Sequence, residues 1–443
     1  MLAVTWITLP AGHLDAQCSG RYYDKIFPDF FNWQTFPIPT NLPSPVVYGS
    51  AVNYQGNTET LDMYIFQPKD DTLSKRPLVI LAFGGSFLLG AKESPDIIAL
   101  CNELTTRGFV TASIKYRIGV PTVDSLNMLK AVIRAVQDAK AAIRFFYKDA
   151  ATTNTYRIDT NKIFMGGVSA GAFIGIHAGY IDNELEVPQW FRDIAQTLGG
   201  LEGSSGNPGY STRIRGIINL AGAIGDTSWI DADDPPMVSM HGTDDGTVPY
   251  CSEVIEVQRN SIIMVDGSAS IKYRTARLGI NNPFFTWRGG GHVDFTNYFA
   301  FQPSKKPLVD TTVWFIRDFL YEELTGIRCN QNLKDAGWLP APCGLPIPEP
   351  DTVTSTGLTL VTDDAMLVAP VPSDHAVQVQ LPPSVQSASI AVFDNLGRRV
   401  KTYRYVNEAL KIQKSDLGTG IFLLAVIPDA DPARVIRHKL IFQ

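Results

Sequence analysis

The chain has 443 residues, 45% of them apolar, and a net charge of −6 with both signs well mixed. That is enough apolar material for a large core and more than one domain, and it excludes the basic footprint of a nucleic-acid or anionic-lipid binder. Uncharged substrates suit it best, and beyond the N-terminus there is no apolar window of bilayer-spanning length.

Residues 2–9 form a short apolar run, followed by Pro10, Gly12 and the small residue Ala16. Residues 1–17 read as a secretory signal, although no basic residue precedes the run. Alternation at Leu61, Met63 and Ile65 predicts edge strands across 48–68, whereas the unbroken apolar run 77–83 predicts a strand buried on both faces. It ends in Gly84-Gly85-Ser86-Phe87. A helix is expected over 94–107, a buried strand over 109–116 and a long amphipathic helix over 126–147. Residues 162–165 lead as a strand into Gly166 and Gly167, and a helix begins after Ser169. Further strands are expected at 217–220, 237–240 and 284–287. Strand and helix alternate throughout, so residues 18–345 are expected to be an α/β domain with a mostly parallel central sheet. Residues 182–213 are too long and irregular for a plain connection, which leaves a solvated excursion and a cap over the site both open.

A Pro/Ser/Thr-rich linker follows over 346–358. Over 359–443, short alternating runs with turns near 395–397 and 418–420 predict a small all-β sandwich.

The run Gly167-Val168-Ser169-Ala170-Gly171 is a G-x-S-x-G elbow. Such a pentapeptide arises by chance in a chain with 36 glycines, but a strand before it and a helix after it are the context the motif requires. A sharp strand-to-helix turn exposes the serine hydroxyl and sets it at the positive end of a helix dipole. Ser169 is therefore the candidate nucleophile, and it needs a neutral base.

Of six histidines, two follow strands in the hydrolase region, His241 and His292. His292, after the glycine-rich loop 289–291, is the better base. Asp245, four residues beyond His241, is the candidate orienting acid, with Asp244 its rival. The order Ser169, Asp245, His292 is that of α/β hydrolases. Oxyanion donors are expected from the amides of Gly85, Ser86 and Ala170, and Phe87 and Trp229 are candidate substrate-binding residues. No C-x-x-C or H-E-x-x-H spacing occurs, so neither metal nor cofactor is expected.

There are five cysteines. Cys329 and Cys343 flank a short loop and are expected to be bridged, with Cys18–Cys101 a second pairing that would leave Cys251 free; sequence alone leaves the connectivity open.

With these parts placed, residues from about 18 to 343 resemble the α/β-hydrolase superfamily, and within it the secreted carboxylesterases and the feruloyl- or acetylxylan-esterase-like lipases. The matching pieces are Phe83-Gly84-Gly85-Ser86-Phe87 for H-G-G-x-F, with Phe83 where the family has histidine, the strand end Tyr116-Arg117, the Ser169 elbow, the Asp245 segment and His292. The resemblance implies a secreted serine esterase acting on carboxylic esters, with acetyl or feruloyl groups on polysaccharide among its substrates. The alternatives are a serine peptidase of the prolyl-oligopeptidase kind, for which only about 45 residues precede the hydrolase strands and no propeller is accommodated, and a catalytically silent surface binding protein.

Residues 359–443 resemble the C-terminal sorting domain of type IX secretion, through Pro370-Val371-Pro372, the stretch 392–400, Leu417-Gly418-Thr419-Gly420 and the terminal Lys439-Leu440-Ile441. That implies a secreted or cell-surface protein with the secretion machinery as partner.

Overall fold

The computed structural model describes residues 18–30, 42–296, 306–329, 343, 367–369, 375–393, 399–430 and 436–442. The expected signal at 1–17 and the linker at 346–358 lie outside the described residues.

Eleven strands precede the last long helix: β1 (Val46–Val52), β2 (Thr58–Phe66), β3 (Arg76–Ala82), β4 (Val110–Ile114), β5 (Ile158–Val168), β6 (Gly216–Leu220), β7 (Ala223–Ile224), β8 (Met237–Gly242), β9 (Ser252–Val257), β10 (Asn260–Gly267) and β11 (Phe284–Trp287). Eight of them make one sheet in the order β1-β2-β4-β3-β5-β6-β8-β11. Only β1–β2 and β2–β4 are antiparallel; β4 to β11 run parallel. The all-parallel part is covered on both faces, as its apolar runs require, and every residue of β3, β4, β6 and β8 is buried. The helices are α1 (Pro95–Thr105), α2 (Ser125–Ala151), α3 (Ala170–Tyr180), α4 (Gln189–Gln196), α5 (Ser268–Arg277) and α6 (Lys306–Thr325). Helix α3 is apolar all round and wholly buried.

Two features outrun the sequence reading. Strands β9 and β10 form a hairpin that joins β7 in a separate three-stranded sheet. Its turn is Gln258-Arg259, both at positive φ (51° and 66°), where Asn-Gly is the usual signal for a two-residue hairpin. The stretch 182–213 is also no solvated excursion. Trp190 and Phe191 of α4 are buried, and the remainder is tied to α2 by Gln137 donating to the Leu198 and Gly200 carbonyls and by Arg144 donating to Gly206 and Glu202.

The C-terminal strands β12 (Leu367–Ala369), β13 (Ala376–Gln380), β14 (Ser387–Phe393), β15 (Arg399–Val406), β16 (Leu410–Gln413), β17 (Gly420–Pro428) and β18 (Ile436–Phe442) form two antiparallel sheets, β12-β13-β16 and β15-β14-β17-β18. They share one core that includes Val377, Ile390, Leu424 and Leu440. Among the described residues, no helix is long and apolar enough to cross a membrane.

Candidate active site

Ser169 sits between β5 and α3 with φ 54° and ψ −118°, a conformation that costs a non-glycine residue of order 1–3 kcal/mol. The surrounding packing holds it there. A Cβ on Gly167 would stand 2.1 Å from the Ala82 carbonyl oxygen, and one on Gly171 2.0 Å from the same atom. Only glycine lets strand and helix approach β3 this closely. The Ser169 amide donates to the Leu220 carbonyl at 2.8 Å, which fixes the turn from the other side.

The hydroxyl of Ser169 lies 2.9 Å from His292 Nε2, and His292 Nδ1 lies 2.7 Å from Asp245 Oδ2. The three residues named from the sequence thus form one hydrogen-bonded line, contributed by the ends of β5, β8 and β11. Asp244 is exposed and its carboxylate takes the Thr243 hydroxyl instead. The Asp245 side chain is fully buried. Its Oδ1 accepts the Thr247 and Val248 amides, each at 2.9 Å. Burial alone would push this carboxyl up, but hydrogen bonds from His241 and His292 outweigh burial and hold it far below the usual carboxylate range.

His241, passed over as a base, is the neighbour that sequence reasoning left without a role. It is wholly buried, with Nε2 facing two acceptors, the Val248 carbonyl at 3.0 Å and Asp245 Oδ2 at 3.2 Å. Nε2 must therefore carry a proton and donate. Nδ1 meets the Ser268 hydroxyl at 2.7 Å, and Ser268 in turn receives Asn219 Nδ2 at 3.0 Å. The i, i+4 spacing of His241 and Asp245 across the strand end was the available signal.

The Gly84–Phe87 loop lies against the elbow, since a Cβ on Gly84 would approach the Ser169 Cβ to 3.2 Å. Gly85, Ser86 and Phe87 all have positive φ (126°, 54° and 60°). Among the described turn and loop hydrogen bonds, none has the Gly85, Ser86 or Ala170 amide as donor, which leaves these N–H groups available to an anion beside Ser169. Phe83, where the resemblance expected histidine, stacks its ring on Tyr116 at 4.2 Å, and the Tyr116 hydroxyl donates to the Phe83 carbonyl at 2.8 Å.

An apolar cavity of about 790 Å³, its open mouth included, adjoins Ser169, Ser86 and Ala170. Phe87 and Trp229 both line it, together with Phe173, Trp190 and Phe191. Ile255, Val257 and Ile263 of the β9–β10 hairpin close another side. His177 reaches the cavity wall with its polarity satisfied: Nδ1 donates to the Phe173 carbonyl at 2.7 Å and Nε2 accepts the Gly225 amide at 3.3 Å.

The cysteine pairing differs from expectation. Cys18 is bridged to Cys329 and Cys251 to Cys343, with Cys101 free. Proximity along the chain was the wrong guide. The N-terminal segment runs back along α6, where Arg317 donates to the Tyr23 hydroxyl at 2.9 Å and Tyr23 meets Tyr321 edge-on, and this brings Cys18 to Cys329, just beyond the end of α6 at Thr325. Cys101 is sealed inside α1, where burial pushes its thiol up to about 12 despite a hydrogen bond with Thr111, so it is inert. Among the described residues, no group of three or more His, Cys, Asp or Glu side chains is arranged to hold a metal ion.

Two family models match this chain: BD-FAE over residues 61–225 and the secretion system C-terminal sorting domain over residues 367–443. No curated protein matches it. Solved structures similar to it include the apo form of Thermogutta terrifontis esterase 2, at 20% identity and a TM-score of 0.47, covering 66% of this chain and 98% of that one. The propionate-bound form of the Thermogutta terrifontis esterase Est2 is similar at 22% identity and a TM-score of 0.46, covering 64% and 96%. The chain therefore carries a BD-FAE domain, an esterase-type α/β hydrolase, ahead of a type IX secretion sorting domain, and is a secreted or cell-surface protein.

Proposed function

We propose that this protein is a serine carboxylic ester hydrolase. The observation that carries the reading is the continuous line from Ser169 through His292 to Asp245, with the serine on a strained elbow between two sources of free amides. Ser169 Oγ attacks the ester carbonyl carbon while His292 Nε2 takes its proton. The amides of Ala170 and of Gly85 or Ser86 hold the oxyanion. Collapse of the tetrahedral intermediate expels the alcohol, which leaves with the proton returned by His292. Water, deprotonated by the same imidazole, then releases the acid. Asp245 keeps His292 in the Nδ1–H tautomer and stabilises the imidazolium.

The cavity beside Ser169 is walled mainly by aromatic and aliphatic side chains, from Phe87 beside the serine to Ile263 of the β9–β10 hairpin, with Glu256 and Thr247 among the few polar ones. This favours an uncharged apolar acyl group, such as feruloyl or a longer chain, over acetyl. The experiment that tests the reading combines hydrolysis of p-nitrophenyl esters with a fluorophosphonate probe. Stoichiometric loss of activity with the label on the peptide containing Ser169 is expected; turnover that persists in fully labelled protein, or a label elsewhere, refutes it.

Because Asp245 is held ionised far below neutrality, its own protonation should add no second step to the acid limb of the pH profile. A plot of log kcat/KM against pH should therefore rise with a slope of one on that limb. His241→Asn removes one of the four donors on Asp245. It is expected to lower kcat by about tenfold while leaving KM near its original value, as loss of an outer-shell partner does elsewhere. Steady-state kinetics on one ester reads both numbers.

A further inference from the structure

Beside the cavity that adjoins Ser169 lies a second one of about 290 Å³, its open mouth included. Val132, His177 and Phe191 belong to the walls of both, so the partition is one layer of side chains thick. The second chamber is otherwise apolar, bounded by Ile133, Val136, Ile181 and Leu201. Its one cation, Lys140, is already engaged, with Nζ donating to the Ile181 carbonyl at 3.0 Å and to Glu202 Oε1 at 2.7 Å. Nothing in this chamber is set to receive a carboxylate. Of the three dividing residues, Val132 and His177 belong to the long helices packed on the sheet, and His177 is pinned by its bond to Phe173. Phe191 is different. It projects from the eight-residue α4 and is held by edge-on contacts with Trp229 at 5.4 Å and Trp190 at 5.8 Å.

We infer that Phe191 sets the acyl-chain length this enzyme accepts. The inference rests on the Ser169 reading above and adds the substrate class: an ester whose acyl part is an uncharged apolar chain, seated in the first chamber and stopped by the Phe191 ring. Each methylene that enters an apolar wall contributes about 0.8 kcal/mol, roughly a fourfold gain in kcat/KM per carbon. The gain ends where the chain meets the ring. Truncating the ring should join the two chambers into one largely apolar channel, and apolar cavities take up apolar guests.

The test uses the full chain and a p-nitrophenyl series from butyrate to dodecanoate, with wild type, Phe191→Ala, Phe191→Leu and the double variant Phe191→Ala/Val136→Phe. In wild type, kcat/KM should climb with chain length and then fall. In Phe191→Ala the maximum should move to longer chains, and the dodecanoate-to-butyrate ratio should rise by about tenfold, the worth of two methylenes or fewer. Phe191→Leu should shift the ratio in the same direction by less, and it carries the test if the alanine variant does not fold. Refilling the second chamber with Val136→Phe should reverse the shift. An equal change on every ester overturns the inference. So does a shift seen with alkyl acetates of increasing alcohol length, which would seat the leaving group there instead. Failure of the Ser169 reading is distinct: wild type itself would then show no fluorophosphonate-sensitive turnover of butyrate.

Discussion

Ser169→Ala is expected to lower kcat for ester hydrolysis by about 10⁵- to 10⁶-fold without unfolding the protein. The hydroxyl removed makes one side-chain hydrogen bond, to His292 Nε2. The backbone that presents it is held by other groups: the Leu220 carbonyl, which receives the residue 169 amide, and the close approach of Gly167 and Gly171 to Ala82. Alanine can occupy this left-handed position at a cost similar to that of serine, so the elbow should keep its shape. What remains should be the residual catalysis of the oxyanion amides and of binding, about 10³- to 10⁴-fold over water. Asp245→Asn leaves the nucleophile in place but permits the wrong imidazole tautomer, and should cost about 10⁴-fold alone. Combined with Ser169→Ala it should cost almost nothing more, because the three groups act as a unit. Active-site-titrated kcat values for the two single variants and the double variant check this. Near-wild-type turnover in Ser169→Ala would remove the serine from its role.

Asp138→Asn should destabilise the hydrolase domain by about 3–5 kcal/mol, the usual result of stripping one partner from a buried ion pair. Asp138 is wholly buried. It accepts the Arg117 amide at 2.8 Å, the Arg117 Nε at 2.9 Å and the Ser205 hydroxyl at 2.6 Å, and it is ion-paired with Arg117 Nη2 at 2.8 Å. Burial pushes its carboxyl up by more than Arg117 pulls it down. Arg117 also donates to the Val52 and Arg134 carbonyls. Removing the negative charge leaves this guanidinium buried without its counter-ion. Denaturant unfolding followed by tryptophan fluorescence should show the loss, and replacing both partners with apolar residues of similar volume should recover much of it. A loss below about 1 kcal/mol in the single variant would contradict the account. Function should suffer too, since Arg134 holds the Gly119 carbonyl at 3.0 Å and the Gly119 amide donates to the Phe87 carbonyl of the Gly84–Phe87 loop, which lies against Ser169.

Much of this was legible from the chain because local chemistry and function coincide at the elbow. Glycines that must flank a strained serine announce both the turn and the hydroxyl it presents, and the buried strands β3, β4 and β6 announce themselves as unbroken apolar runs. The site residues follow strand ends in the α/β-hydrolase order, so the juxtaposition of Ser169, Asp245 and His292 could be expected before any distance was known. What escaped was set by tertiary packing. The β9–β10 hairpin turns on Gln-Arg, which carries no turn signal, and its apolar residues on one face only make sense against the cavity they close. Cystine partners are chosen by where remote segments meet, so the short 329–343 spacing misled. The second imidazole on Asp245 needed the strand-end geometry to be seen.

Both cystines end at or before residue 343, one spanning 18 to 329 and the other 251 to 343. Every covalent tie of the hydrolase is thus complete before the 344–366 stretch begins. A protease cutting anywhere in that stretch would sever no loop that carries Asp245 or His292 and would leave both bridges intact. The order of its bridges makes maturation by cleavage compatible with an intact active site.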